Sequence, residues 1–170
     1  EIEDFKKAIN HFNLCIEVQP IHPAAYNSLG YCYKQINEFN KAKNYYERSM
    51  LQDPNYTLAK LNYGNLLDMF CEPKKAIKIY NEAIDIDPEK LSLRWALLNT
   101  LPTIYTNNEE IIEFTNHFNQ QIKNLEIFIK NKKNFNQEDI LSGLMNSTNF
   151  YLHYQGINNV KLQYKYDPLF

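Results

Sequence analysis

The strongest constraint in this sequence is a period. The same residue types return 34 positions apart: Gly30 as Gly64, Ala42 as Ala76, Tyr46 as Tyr80 and Pro54 as Pro88. Ala8, Phe12 and Pro20 carry the same marks one period earlier. A chain that repeats itself at this length is built from small like units, none able to bury its own apolar face, so they stack into an array. The marks have a physical reading as a helix pair. A glycine at a crossing lets two backbones approach, and an aromatic opposite it fills the space beside them. A glycine inside a helix costs about 1 kcal/mol against alanine. The chain has only 4 glycines, and two of them recur in register, so the recurrence has a packing cause. Pro54 and Pro88 fall between units, where a missing amide proton does little harm.

This punctuation resembles the tetratricopeptide repeat, whose pattern runs W-x2-L-G-x2-Y, then A-x3-F, then P. In the unit 23–56, Tyr26 stands in the tryptophan place, followed by Leu29, Gly30, Tyr33, Ala42, Tyr46 and Pro54. In the unit 57–90, Tyr63, Gly64, Leu67, Ala76, Tyr80, Ala83 and Pro88 fit. Lys60 occupies the tryptophan place there, and Leu61 is expected to take over its packing. The resemblance implies an all-α fold, a superhelix of antiparallel helix pairs, with a C-terminal helical linker region after it.

With 170 residues, a formal net charge of -2 and a sequence pI near 6.1, the chain has room for one core and no dense basic stripe to neutralise phosphates. A nucleic-acid partner is not expected. No run of 18 apolar residues and no charged-then-apolar leader is present, so the expectation is no membrane partner and a cytoplasmic location. Cys15, Cys32 and Cys71 lack C-x-x-C spacing, and His11, His22 and His117 lack ligand spacing, so no metal site is expected. Cys15 sits where later units place Ser49 and Ala83, which predicts a small core residue.

Taken in order, residues 1–22 read as the second helix of a truncated repeat, with Phe5, Ala8, Ile9, Phe12 and Ile16 on one face. That face is expected to continue into repeats upstream in a longer protein, and it could also pair with another copy. Helices are predicted over 24–36, 39–52, 57–70 and 73–86, the last with Pro73 in its first turn. Residues 91–106 form a terminal helix and a Leu101-Pro102 break, with Trp95 as a core plug. Glu110 stands where the period calls for alanine, so the array is expected to end there. Residues 107–170 read as a helical linker leading to a catalytic domain outside this chain. Asn107 caps a long helix over 107–130, with Glu110 in capping-box spacing and Ile111, Phe114, Phe118, Ile122, Leu125 and Ile129 on one face. Glu109 and Glu110 in its first turn suit the helix dipole better than catalysis. A short helix over 137–145 and an aromatic stretch from Asn149 to Gly156 follow.

The order Arg94-Trp95-Ala96, Leu101-Pro102, Ile104-Tyr105, Asn149 to Leu152 and Tyr154 to Gly156 resembles the junction before the catalytic lobes of SPINDLY-type O-linked N-acetylglucosamine transferases. His153 stands where that pattern has alanine, and no role is assigned to it. The resemblance implies that this chain is the recognition arm of such an enzyme, inactive alone. It also implies no catalytic residue and no cofactor here, the UDP-sugar belonging to the parent. In that family an asparagine ladder on the concave face holds an extended peptide by its backbone, because an amide both donates and accepts. Carried over residue by residue, the ladder falls on Asn62 and Asn65, on Asn27 and Ser28 in the unit before, and on Asn99 after. The alternative is a stand-alone adaptor that binds a partner protein or extended peptide in the same groove.

Overall fold

The computed structural model describes residues 2–132. The helix expected over 137–145, the aromatic stretch and His153 lie outside the described residues. Seven helices occupy the described residues: α1 (Ile2–Val18), α2 (Pro23–Gln35), α3 (Phe39–Gln52), α4 (Thr57–Met69), α5 (Pro73–Ile86), α6 (Leu91–Asn99) and α7 (Asn108–Asn131). No strand occurs among them. Prolines open α2 and α5 at their first turns, and a His22 Nδ1 cap accepts from the Ala25 amide at 3.1 Å. Asn107 caps α7, accepting from the Glu110 amide at 2.8 Å. The Glu110 carboxylate reaches back one residue further than a capping box requires, accepting from Thr106 N at 2.7 Å and Thr106 Oγ1 at 2.8 Å.

Consecutive helices pack in antiparallel pairs, and α2 also meets α4, and α4 meets α6. No comparable contact joins α1 to α3 or α3 to α5. The first helices of each pair therefore touch along one layer while the second helices splay, which curves the array with α2, α4 and α6 on its inner, concave side. The two repeats turn their corners alike. Asn37 and Cys71, one period apart, end their helices with φ of 62° and 58°. Asparagine tolerates that left-handed geometry, whereas cysteine rarely adopts it.

The glycine crossings are as tight as the period demanded. A Cβ on Gly30 would stand 2.6 Å from the Tyr46 ring, and one on Gly64 would stand 2.3 Å from the Tyr80 ring. Tyr46 and Tyr80 are fully buried. Ser49 lies at the same crossing and donates from Oγ to the Pro23 carbonyl at 2.7 Å. Gln52 pins the loop before α2, accepting from His22 N at 3.0 Å and donating to Pro20 O at 2.8 Å.

Three expectations are corrected. Cys15 is exposed, not a core residue. Ser49 is covered by the first helix of its own pair, and among the described residues no such helix stands before α1. The packing of the second tryptophan place does not simply pass to Leu61: Leu61 is buried, but so is Lys60, whose ammonium reaches Glu82 at 3.0 Å while its stem fills the space. Helix pairing also continues past Glu110: α6 begins at Leu91, two periods after Pro23, and α7 packs beside it, though much less extensively than α3 beside α2. Leu98 takes the glycine place and Phe114 the tyrosine place, and both are buried in one cluster with Trp95, Leu101 and Phe118. With a leucine at the crossing and Glu110 for alanine, this pair meets side chain to side chain, and α6 closes after 9 residues. Trp95 is a core plug at this end, as expected, buried against Leu98 and Phe114. His117 of α7 bonds the Leu97 carbonyl through Nε2 at 3.0 Å, and burial lowers its pKa below the ordinary histidine value.

Candidate functional site

The groove is floored by one stripe of each first helix. On α4 that stripe is Leu58, Asn62, Asn65 and Met69, spaced four, three and four residues apart, and on α2 it is Ala24, Ser28, Tyr31 and Gln35 at the same spacing. Tyr31 is 43%, Leu58 38% and Met69 49% exposed, so three large side chains stand open on the inner side. Tyr31 also leans edge-on toward Phe5 of α1, with ring centroids 6.3 Å apart.

The expected asparagine row is only partly assembled. Asn62 Nδ2 donates to Asn27 Oδ1 at 2.9 Å, which joins α2 and α4 by an amide pair. Asn27 is buried, and Asn62 is half-buried and retains its carbonyl oxygen and one amide hydrogen for another group. Ser28 is half-buried beside them. Asn65 is engaged from behind: the Tyr80 hydroxyl passes Gly64 and donates to its Oδ1 at 2.7 Å. Asn99 does not continue the surface. It is buried, and its Nδ2 donates to the Trp95 carbonyl at 2.9 Å, one turn back on its own helix.

Two charged residues that sequence reading passed over stand beside this floor. Lys34 lies seven residues after Asn27, and Asp68 seven after Leu61, so each shares the stripe that meets the next first helix. Asn27 makes that meeting with Asn62, and Leu61 makes it in the cluster with Leu93 and Leu97. Both charged residues are half-buried. Burial lowers the Lys34 pKa and pushes that of Asp68 up to about 7. One Asp68 oxygen, Oδ1, is buried without a hydrogen-bond partner among the described residues. Their register signal was available, since 34 and 68 are one period apart, but opposite signs at one position disguised it.

Among the described residues no group of His, Cys, Asp and Glu is placed to hold a metal ion, and no helix is long and apolar enough to cross a membrane. The amide pair, the exposed apolar side chains and the half-buried charges lie on neighbouring stripes of α2 and α4.

The comparisons agree with this architecture. The family model described as tetratricopeptide repeat matches residues 23–56. An uncharacterized protein, ycf37, of Guillardia theta is 34% identical over 62 residues, covering 36% of this chain and 35% of its own length. The protein O-mannosyl-transferase TMTC2 of Homo sapiens is 27% identical over 89 residues, 51% of this chain and 11% of the transferase. The chain thus spans only about a third of ycf37 and a smaller part of TMTC2. Among solved structures, MamA superposes with a TM-score of 0.60 at 21% identity, covering 74% of this chain and 71% of its own. YrrB, titled a TPR protein with an unusual peptide-binding site, superposes at 0.54 with 16% identity, covering 92% and 86%. At these identities the structures share the fold.

Proposed function

We propose that this tetratricopeptide-repeat chain is a binding module, an adaptor whose inner groove holds an extended peptide of a partner protein. The observation that carries the reading is the Asn27–Asn62 pair at 2.9 Å, set between exposed Tyr31, Leu58 and Met69. The pair fixes the Asn62 amide with a donor and an acceptor still unspent, which suits a peptide group whatever its side chain. The open apolar side chains supply the burial that gives such a contact strength. The described peptide-binding site of YrrB, on the same fold, supports the reading by analogy.

The test is to select twelve-residue peptides from a random display library on the immobilised chain and map the winner by amide chemical shifts. Shifts should cluster on α2 and α4. Asn62→Ala should weaken binding about fivefold, the worth of one hydrogen bond, with the helical circular dichroism unchanged. Asn62 alone is the cleaner variant, because Asn65 also holds Tyr80. Shifts confined to α3, α5 or α7 would remove the groove from the account.

A second reading makes the same groove the recognition arm of a cytoplasmic protein glycosyltransferase whose catalytic lobes hold the UDP-sugar. Its support is the junction resemblance and the similarity to TMTC2, which covers 11% of that transferase. It predicts that transfer from UDP-N-acetylglucosamine by the full gene product falls with Asn62→Ala. Absence of any sugar transfer by that product would discard it.

A further inference from the structure

Two other partly buried lysines among the described residues find carboxylate partners. Lys60 reaches Glu82 at 3.0 Å, and Lys132 reaches Glu89 at 3.7 Å. Lys34 and Asp68 do not. Burial shifts both, and the Asp68 Oδ1 is buried with no donor among the described residues. The ionisable neighbour that feels Asp68 is the Tyr80 hydroxyl of α5, which is occupied with Asn65. A half-buried charge without a counter-charge is costly, and the cost falls when the group is neutralised or when an opposite charge arrives. The two residues are one period apart, so they repeat one structural position with opposite signs, on adjacent helices of the groove floor.

Resting on the peptide-groove reading, we infer that the partner peptide sets an acidic side chain against Lys34 and a basic side chain against Asp68, about three residues apart. The spacing follows from geometry. Neighbouring packed helices lie about 8–10 Å apart, and an extended chain advances about 3.3 Å per residue. A peptide running along the array therefore covers the step between the two positions in about three residues. Side chains three apart in an extended chain point to opposite sides, and the long flexible stems of lysine, arginine or glutamate close that gap. The partner is thus an extended segment of mixed charge, not a uniformly acidic or basic one.

The experiment uses three synthetic probes on the full chain: Thr-Glu-Thr-Thr-Lys-Thr, its reversed-charge order Thr-Lys-Thr-Thr-Glu-Thr, and neutral Thr-Gln-Thr-Thr-Gln-Thr. Binding is read by amide shifts of α2 and α4. One charged order should bind about tenfold tighter than the neutral probe, a difference of about 1.4 kcal/mol. Lys34→Met and Asp68→Asn should each erase most of that advantage. The carboxyl carbon of Asp68 should titrate at lower pH in the complex, because an arriving cation favours its charged form. Groove binding that is equal for charged and neutral probes, or an Asp68 titration that does not move, overturns the inference while leaving the groove standing. No amide shift in α2 or α4 with any probe, joined to library winners that map elsewhere, overturns the groove reading and this inference with it.

Discussion

The two full repeats share a backbone and differ in nearly everything that decorates it. At the tryptophan place, Tyr26 lies under the Arg48 guanidinium, 4.7 Å from its ring centroid, and its hydroxyl accepts from Arg48 at 3.3 Å. One period on, the same two positions hold Lys60 and Glu82 as an ion pair at 3.0 Å. At the crossing, the Tyr80 hydroxyl donates to Asn65, but Tyr31 stands in the position of Asn65 in the first repeat, and the Tyr46 hydroxyl is left buried without a partner among the described residues. The glycine positions tolerate no change, since a methyl on Gly30 or Gly64 would run into the ring of Tyr46 or Tyr80, and Ala42 and Ala76 beside them are fully buried. Positions that meet side chain to side chain accept any chemistry that fills the volume and satisfies its polar atoms. The third pair marks the limit of that freedom: once Leu98 takes the glycine place, the crossing is rebuilt from apolar side chains alone.

The sharpest way to break the comparison is to fill both glycine crossings. Gly64→Ala and Gly30→Ala should each destabilise the chain by about 1–3 kcal/mol in urea unfolding, against the better helix propensity of alanine. Gly64→Ala should be the worse, because its approach to Tyr80 is the closer, 2.3 Å against 2.6 Å. A stabilised variant at either site would show that the crossing is looser than described.

A second effect sets the lysine of one repeat against the aspartate of the next. Asp68 has its folded pKa raised to about 7 from an ordinary 3.8. The protonated form is therefore the one the fold favours. Its contribution is fully present below pH 4 and is lost as pH rises through about 7. Asp68→Asn should match the parent in acid and exceed it by on the order of 2 kcal/mol at pH 8. Parallel stability curves for the two proteins from pH 4 to 8 would contradict the burial of this carboxyl. The smallest effect sharpens the crossing itself. Tyr80→Phe should cost about 1 kcal/mol by breaking the bond to Asn65, whereas Tyr46→Phe should change stability by less than about 0.5 kcal/mol or raise it, since it removes a hydroxyl with no partner. Equal losses in thermal unfolding would mean that the two hydroxyls are equivalent after all.

Much of this architecture was legible because its causes are local or periodic. Pro23, Pro73 and Asn107 each mark a helix start through their own backbone chemistry, and the structure opens α2, α5 and α7 there within a residue. The crossings could be read because a glycine and a tyrosine recur together. What could not be read depends on contacts between repeats. Lys60 looked like a gap in the pattern because its stem, not its charge, fills the pocket. Glu110 looked like the end of the array, although Phe114 four residues later keeps the aromatic in register. Asn99 carries the same amide as Asn62, and nothing in its neighbours says that one is buried and the other half-open. Only the first and second helices of adjacent units, brought together, separate a ladder rung from a core residue.

The one-sided lacing of the array has a mechanical consequence. Successive pairs touch where α2 meets α4 and α4 meets α6, and where each second helix meets the next first helix, α3 on α4 and α5 on α6, but the second helices do not meet one another. Closing the curve further would press together side chains already in van der Waals contact, where resistance rises steeply. Opening it parts no outer helix from another, and the strain falls instead on the seams where α3 meets α4 and α5 meets α6, which therefore set how far the groove can widen.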